Sequence, residues 1–285
     1  MKRDLILSLA FILSSGFLHD RVLASNQQKT SGTERGTSAR PKRLNENIER
    51  AKMEAATNPS SAEAQLRLGE AYRSTEGNHA EEAIEAYKRA LALRPDYSEA
   101  FKGLAWGYGV LKDFQKQLDS LDHAITLNPN DAEAYYQLGL AHENVEIDLS
   151  EIKSSPIPNQ DELKVLFDAR RRRATLSAAA YKKAITIKPD YAEAYCGLGS
   201  AYLTLQLYNE SIQAHKQAIE YDPKNPTMRV ALGYVYLVLG DHDAAMEQNK
   251  RAKELIDHFD PPLKRVYELA VMMQLERIKE AIKER

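Results

Sequence analysis

One phrase returns five times down this chain: Ala-Glu-Ala or Ser-Glu-Ala, a large residue, two spacers, Leu-Gly or Leu-Ala, then an aromatic or histidine. It reads Ala62-Glu63-Ala64…Leu68-Gly69…Tyr72, Ser98-Glu99-Ala100-Phe101…Leu104-Ala105…Tyr108, Ala132-Glu133-Ala134-Tyr135…Leu138-Gly139…His142 and Ala192-Glu193-Ala194-Tyr195…Leu198-Gly199…Tyr202. A reduced form closes the series at Arg229…Leu232-Gly233…Tyr236. A small residue and a proline follow in the first four units, as Ala90/Pro95, Ala124/Pro129, Ala184/Pro189 and Ala218/Pro223. The units start at 62, 98, 132, 192 and 226, so the steps are 36, 34, 60 and 34. A base period of 34 residues with a 2-residue and a 26-residue insertion is the mark of a stacked array, in which no unit buries its apolar face alone.

Inside a unit the apolar positions keep helical spacing. Leu68, Ala71 and Tyr72 fall on one face, and Ala83, Ile84, Tyr87, Ala90 and Leu91 on another, which predicts two short amphipathic helices and no strands. Capping pairs are read at Ser60 with Glu63, Asp96 with Glu99, Asn130 with Glu133 and Asp190 with Glu193, a polar side chain serving free N–H groups at each helix start. Gly69, Gly139, Gly199 and Gly233 stand inside first helices, where glycine costs about 1 kcal/mol relative to alanine. Close helix approach is the expected compensation.

The pattern resembles the tetratricopeptide repeat family over roughly residues 60 to 260. The resemblance implies an all-α fold: a right-handed superhelical solenoid of stacked antiparallel helix pairs, about five units plus capping helices. Departures are Gln65 and Arg229 at the bulky fourth position, Gln117 at the first alanine of a second helix, and Asp257 where unit five should have its proline. The resemblance further implies that the second, fifth, ninth and twelfth residues of each first helix line a concave groove. Those are Glu63, Leu66, Glu70 and Arg73; Glu99, Lys102, Trp106 and Gly109; Glu133, Tyr136, Leu140 and Glu143. Units four and five supply Glu193, Cys196, Ser200 and Leu203, then Thr227, Val230, Tyr234 and Leu237. The face so drawn runs from charged to apolar. The Lys and Asn with which some members clamp a terminal carboxylate are replaced by Leu66 and Glu70, so that chaperone-tail clamp is not expected.

Residues 1–24 have the form of a secretory signal: Lys2-Arg3, an apolar run from Leu5 to Leu18, and Val22-Leu23-Ala24 before a cut. The run of 14 residues includes Ser8, Ser14, Ser15 and Gly16, short of the ~20 apolar residues that span a bilayer. Cleavage after Ala24 and export to a periplasmic or extracellular space are expected, with no stable membrane insertion afterwards. Residues 25–42 read as a flexible linker, the array as 43–260 and a capping helix as 261–285. Within the array the units lie near 62–97, 98–131, 132–191, 192–225 and 226–260. A helix from Leu44 to Asn58 would cap the N-terminal side. The last helix would turn Leu263, Val266, Tyr267, Ala270 and Met273 inward and a polar back outward.

The 26 extra residues fall in unit three. Asn159 with Glu162 reads as a helix start, and no breaker follows before Pro189, predicting a second helix from about Asp161 to Ile187 in an extended hairpin of about 146–173. Two readings stand: a hairpin that packs on itself, or a docking knob. Arg170-Arg171-Arg172-Arg173 would point around that helix, paired with acids such as Glu146, Asp148, Glu151 and Asp168, or facing an acidic partner.

Catalytic, cofactor and metal sites are not expected. Asp241-His242-Asp243 sits in a turn, where Asp bonds local backbone; His142-Glu143 lacks the second histidine of a zinc helix, and phosphate-loop or nucleophile-elbow motifs are missing. A net charge of -2 argues against nucleic acid. Cys196 is the only cysteine, so no intramolecular disulfide forms; it is either a small packed residue or an inter-chain thiol. The expectation is a non-enzymatic scaffold or adaptor that holds a peptide or partner helix in its groove, with Trp106, Tyr136 and Tyr234 as aromatic anchors. Trp106 could equally plug a gap between repeats. The alternative is a self-associating component that stacks through unit five and the last helix as a homo-oligomer.

Overall fold

The computed structural model describes residues 39–75, 79–144, 160–256 and 261–283, and every regular element among them is a helix. In chain order these are α1 (Ala39–Thr57), α2 (Ala62–Arg73), α3 (Ala80–Leu93), α4 (Ser98–Val110), α5 (Phe114–Leu127) and α6 (Ala132–Asn144). They continue as α7 (Gln160–Ile187), α8 (Ala192–Thr204), α9 (Tyr208–Tyr221), α10 (Pro226–Leu239), α11 (His242–Ile256) and α12 (Pro261–Lys283). The chain divides into two compact units, Met1–Ala134 and Tyr135–Arg285, with the division inside α6. In the first, α2 pairs with α3 and α4 with α5, α4 packs on α3, and α1 covers α2. In the second, α7 packs on α8, α8 pairs with α9, α10 with α11, and α12 lies against α11 and α10. The all-α array of stacked helix pairs is the predicted fold class.

The helix starts lie one residue later than the capping pairs suggested. Ser61, not Ser60, accepts from the Ala64 amide at 3.1 Å. Asp131, not Asn130, accepts from the amides of Glu133 and Ala134 at 3.0 and 3.1 Å. Asn225 serves Thr227 at 3.1 Å. The same position in α4 and α8 is tyrosine, Tyr97 and Tyr191, and neither side chain caps. The glutamates therefore occupy the second helical position, where they favour the positive end of the helix dipole without closing a capping box. α1 also begins earlier than expected: Ala39 to Lys42, read as linker, are helical, and Pro41 is tolerated in the first turn because its missing N–H has no helical acceptor there. Residues 25–38 and the signal sequence lie outside the described residues.

The first-helix glycines are explained by a ring rather than by bare backbone approach. Tyr87 of α3, wholly buried, is wedged between Gly69 of α2 and Gly103 of α4. Tyr181 of α7 is wedged in the same way between Gly139 of α6 and Gly197 of α8. A methyl at Gly69 or Gly197 would sit 2.5 Å from a ring carbon, and one at Gly103 or Gly139 nearer still. His215 covers Gly199 and Asn249 covers Gly233 in the same register. Outside the α4–α5 pair, which has Ala105 at this position, each pair is thus keyed by a large second-helix side chain over a first-helix glycine. Within the pairs, the turn residues Lys112 (φ 59°) and Gln206 (φ 63°) are left-handed without being glycine, whereas Gly240 (φ 76°) closes α10.

α7 runs 28 residues, Gln160–Ile187, as the sequence predicted, and its first half is the inserted segment. Glu162 is buried, Leu166, Arg170 and Arg173 are half-buried, and Phe167, Arg171 and Arg172 are exposed, so the arginine run is divided between two faces. The remainder of the hairpin, residues 145–159, lies outside the described residues. In α12, Val271, Gln274 and Ile278 are buried while Met273 is exposed, so the inward face is not the one that contains Met273. Nor is the back of this helix polar, since Leu269 and Met272 are exposed beside Met273.

Candidate partner-binding surface

The charged first-helix positions of the first unit are largely neutralised by their own neighbours. Glu63 is ion-paired with Arg94. Glu70 accepts from the Tyr87 hydroxyl at 2.9 Å and faces the Arg73 guanidinium at 3.4 Å. Lys102 reaches Asp131 at 2.7 Å and Glu133 at 3.6 Å, with its side chain only 15% exposed and that of Asp131 11%. Burial acts against the Lys102 ammonium, yet the Asp131 hydrogen bond and the two carboxylates raise its pKa overall. Glu99 stays exposed. Trp106 is partly buried against Ala83, Ile84, Tyr87 and Leu104, so much of its ring fills the unit's own core. Gly109 has the Gln117 amide where a side chain would go.

The second unit separates its inward positions into a closed row and an open one. The fifth-position residues Tyr136, Cys196 and Val230 are 2%, 7% and 6% exposed, and Tyr234 at the ninth is 4% exposed. Tyr136 packs on Tyr181 and on Tyr191 at ring-centroid distances of 5.9 and 5.0 Å. Cys196 belongs to a cluster with Ala192, Ala218, Met228 and Ala231, and burial pushes its thiol up to about 12. That is a packed residue, not an inter-chain thiol. The Val230 carbonyl accepts from Gln274 of α12 at 3.1 Å, and Gln274 in turn accepts from Asn249 of α11 at 3.0 Å. Leu140, Leu203 and Leu237 remain only half-buried, and Ser200 bonds the Cys196 carbonyl. Of the residues expected to face a partner, Tyr136, Cys196, Val230 and Tyr234 are thus inside the array.

At one end of this region the inserted half of α7 adds two guanidiniums. Burial lowers the pKa of Arg170, opposed by Tyr234, and that of Arg173, opposed by Glu143. Glu143 is exposed and faces the Tyr181 hydroxyl and the Arg173 guanidinium, both of which favour its carboxylate form. Asp241 accepts from the Ala244 amide at 3.1 Å, the local turn bonding expected of it. Among the described residues no group of three or more His, Cys, Asp or Glu is placed to hold a metal ion. No described helix is long and apolar enough to cross a membrane.

Sequence reasoning missed the cation stacking at the joints between units. Arg94 lies 3.9 Å from the centroid of Tyr97, and Lys188 lies 4.5 Å from that of Tyr191. The signal was present as Arg-Pro-Asp-Tyr and Lys-Pro-Asp-Tyr, residues 94–97 and 188–191: where tyrosine replaces a polar cap, a cation three residues earlier covers its ring.

Models of the tetratricopeptide repeat match residues 48–100 and 192–225, and a model described as TPR repeat matches residues 175–206. The chain carries tetratricopeptide repeats over residues 48–100 and 175–225. Among solved structures it is similar to TTC0263, a thermophilic TPR protein of Thermus thermophilus, at 22% identity over 74% of this chain and 100% of that one, with a TM-score of 0.54. It is similar to PilW, a type IV pilus biogenesis factor, at 17% identity over 78% of this chain and 89% of that one, with a TM-score of 0.56. MamA from Desulfovibrio magneticus RS-1 shares 21% identity over 70% of this chain and 97% of that one, at a TM-score of 0.52. These likenesses extend to the fold. No curated protein matches the sequence. Tetratricopeptide repeat proteins generally mediate protein–protein interactions.

Proposed function

We propose that this protein is a non-enzymatic scaffold, exported through residues 1–24, that takes an apolar segment of a protein partner on the second unit. The observation that carries the reading is the open row of Leu140, Leu203 and Leu237 on successive first helices, beside a closed row of Tyr136, Cys196 and Val230 that holds those helices in place. A scaffold that leaves aliphatic side chains half-exposed on successive first helices, with Leu140 about one turn before the position that Leu203 and Leu237 share, suits an amphipathic or extended peptide. The first unit suits this role less, because Glu63, Glu70 and Lys102 already have partners.

A random-peptide display library selected against the wild-type chain tests the reading. Enriched peptides are expected to share spaced aliphatic or aromatic anchors and to lose about tenfold or more in affinity on Leu203→Glu or Leu237→Glu, while Glu99→Lys changes mainly the association rate. Peptides that bind both leucine variants like the wild type would remove the Leu row from the site. Intact-mass analysis of the expressed protein, with a mature start at Ser25 expected, tests the export.

A further inference from the structure

α12 packs on α11 and α10 as α10 packs on α9 and α8, so it occupies the place of a further first helix. Its buried side is Val271, Gln274 and Ile278. Diametrically opposite, at steps of three and four residues, Arg265, Leu269, Met272, Met273, Glu276 and Glu280 form one exposed stripe. Leu269, Met272 and Met273 are 56%, 54% and 43% exposed, a contiguous apolar centre of the kind that marks a contact surface. The order along the stripe is cation, apolar centre, carboxylates.

The ends of that order are complementary when it is reversed. In an antiparallel pair centred between Met272 and Met273, Met272 of one copy meets Met273 of the other, Leu269 of each lies across from Glu276 at the edge of the apolar centre, and Arg265 of each faces Glu280 of the other at both ends. A two-fold contact closes after two copies. We propose that the protein forms a homodimer through α12, the two helices running antiparallel about a two-fold axis at Met272 and Met273. The surface is separate from the Leu140–Leu203–Leu237 row, so the dimer stands independently of the peptide-binding reading.

Sedimentation equilibrium of the full chain over a concentration series tests this. A reversible dimer is expected, with a dissociation constant in about the micromolar range, as three apolar side chains per copy and two end pairs imply a small interface. Met272→Glu with Met273→Glu should weaken it at least about tenfold, with an unchanged helical spectrum because both residues are exposed. Arg265→Glu alone and Glu280→Arg alone should each weaken it about tenfold, since each sets like charges at both ends. An equimolar mixture of those two single variants should recover the dimer, because every end then pairs opposite charges; Leu203→Glu should leave it unchanged. A chain that stays monomeric to about 1 mM, or that grows past two copies, would overturn the proposal. So would charge reversals without effect, or a mixture that fails to recover.

Discussion

Tyr87 in the first unit and Tyr181 in the second perform the same packing task and finish it differently. Each ring lies between two glycines of flanking first helices, and each is fully buried. The Tyr87 hydroxyl donates to Glu70 at 2.9 Å. The Tyr181 hydroxyl interacts with the Glu143 carboxyl but has no acceptor in hydrogen-bond geometry. Burial is the main cause of the raised pKa of both phenols. The ring therefore fixes helix spacing in both units, while the polar end is free to differ: in the first it closes onto the first helix, and in the second it borders the Glu143 and Arg173 cluster. Packing and polar chemistry are separable at this position, and substitutions can test that.

The shared half of the comparison is the glycine notch, and breaking it has the largest expected effect. Gly103→Leu and Gly139→Leu should each cost about 3 kcal/mol or more, at or beyond the upper end of ordinary overpacking, because the ring has glycine on both sides and nowhere to retreat. Urea unfolding midpoints measure the loss. Adding Tyr87→Ala to Gly103→Leu should recover part of it, and Tyr181→Ala should do the same for Gly139→Leu. A leucine tolerated at either glycine without loss would show that the ring is not wedged.

His215 extends the comparison to a wedge that can ionise. It covers Gly199, is 1% exposed, and burial alone lowers its pKa from 6.5 to about 4. The folded state then binds fewer protons than the unfolded state between those values, so stability is complete above pH 6.5 and falls as pH drops toward 4. The displacement from 6.5 to about 4, at about 1.36 kcal/mol per pH unit, is a loss of about 3 kcal/mol. His215→Leu should remove this part of the pH dependence when unfolding is compared at pH 7 and pH 4. A wild type and variant that lose stability in parallel would show that His215 is protonated without penalty in the fold.

Helix pairing and the extended α7 were legible in sequence because each rests on local periodicity and breakers. Asn159 with Glu162 and the lack of a proline before Pro189 were enough to place a helix that begins at Gln160. Burial of the first-helix positions was not legible, because it depends on what the neighbouring unit lays over them. Tyr136 is closed off by Tyr181 and Tyr191, and Val230 is bonded by a glutamine 44 residues later. Met273 was wrongly placed on the inward face of α12 for a different reason. Leu269, Val271, Met272, Met273, Leu275 and Ile278 place apolar residues on every side of that helix, and periodicity cannot choose between faces when all of them are apolar. The tyrosines at two N-cap positions, Tyr97 and Tyr191, were missed because Asp96 and Asp190 offered a conventional cap one residue too early.

The polar half of the comparison predicts the smallest and most diagnostic difference. Tyr87→Phe removes a hydroxyl that serves a carboxylate and should cost about 1.5–3 kcal/mol, the range for a hydrogen bond to a charged group. Tyr181→Phe removes a buried hydroxyl that has no acceptor in bonding geometry, and taking such a group out of the core is neutral or favourable. The two substitutions are chemically identical, leave the ring between its glycines and create no cavity larger than an oxygen atom, so the difference between their unfolding free energies isolates the hydroxyl environment. A midpoint lowered only by Tyr87→Phe is the expected result. Equal losses would mean that Tyr181 also has a bonding partner, with the Glu143 carboxylate as its acceptor; equal tolerance would mean that the Glu70 bond contributes nothing and that the ring alone determines how both units pack.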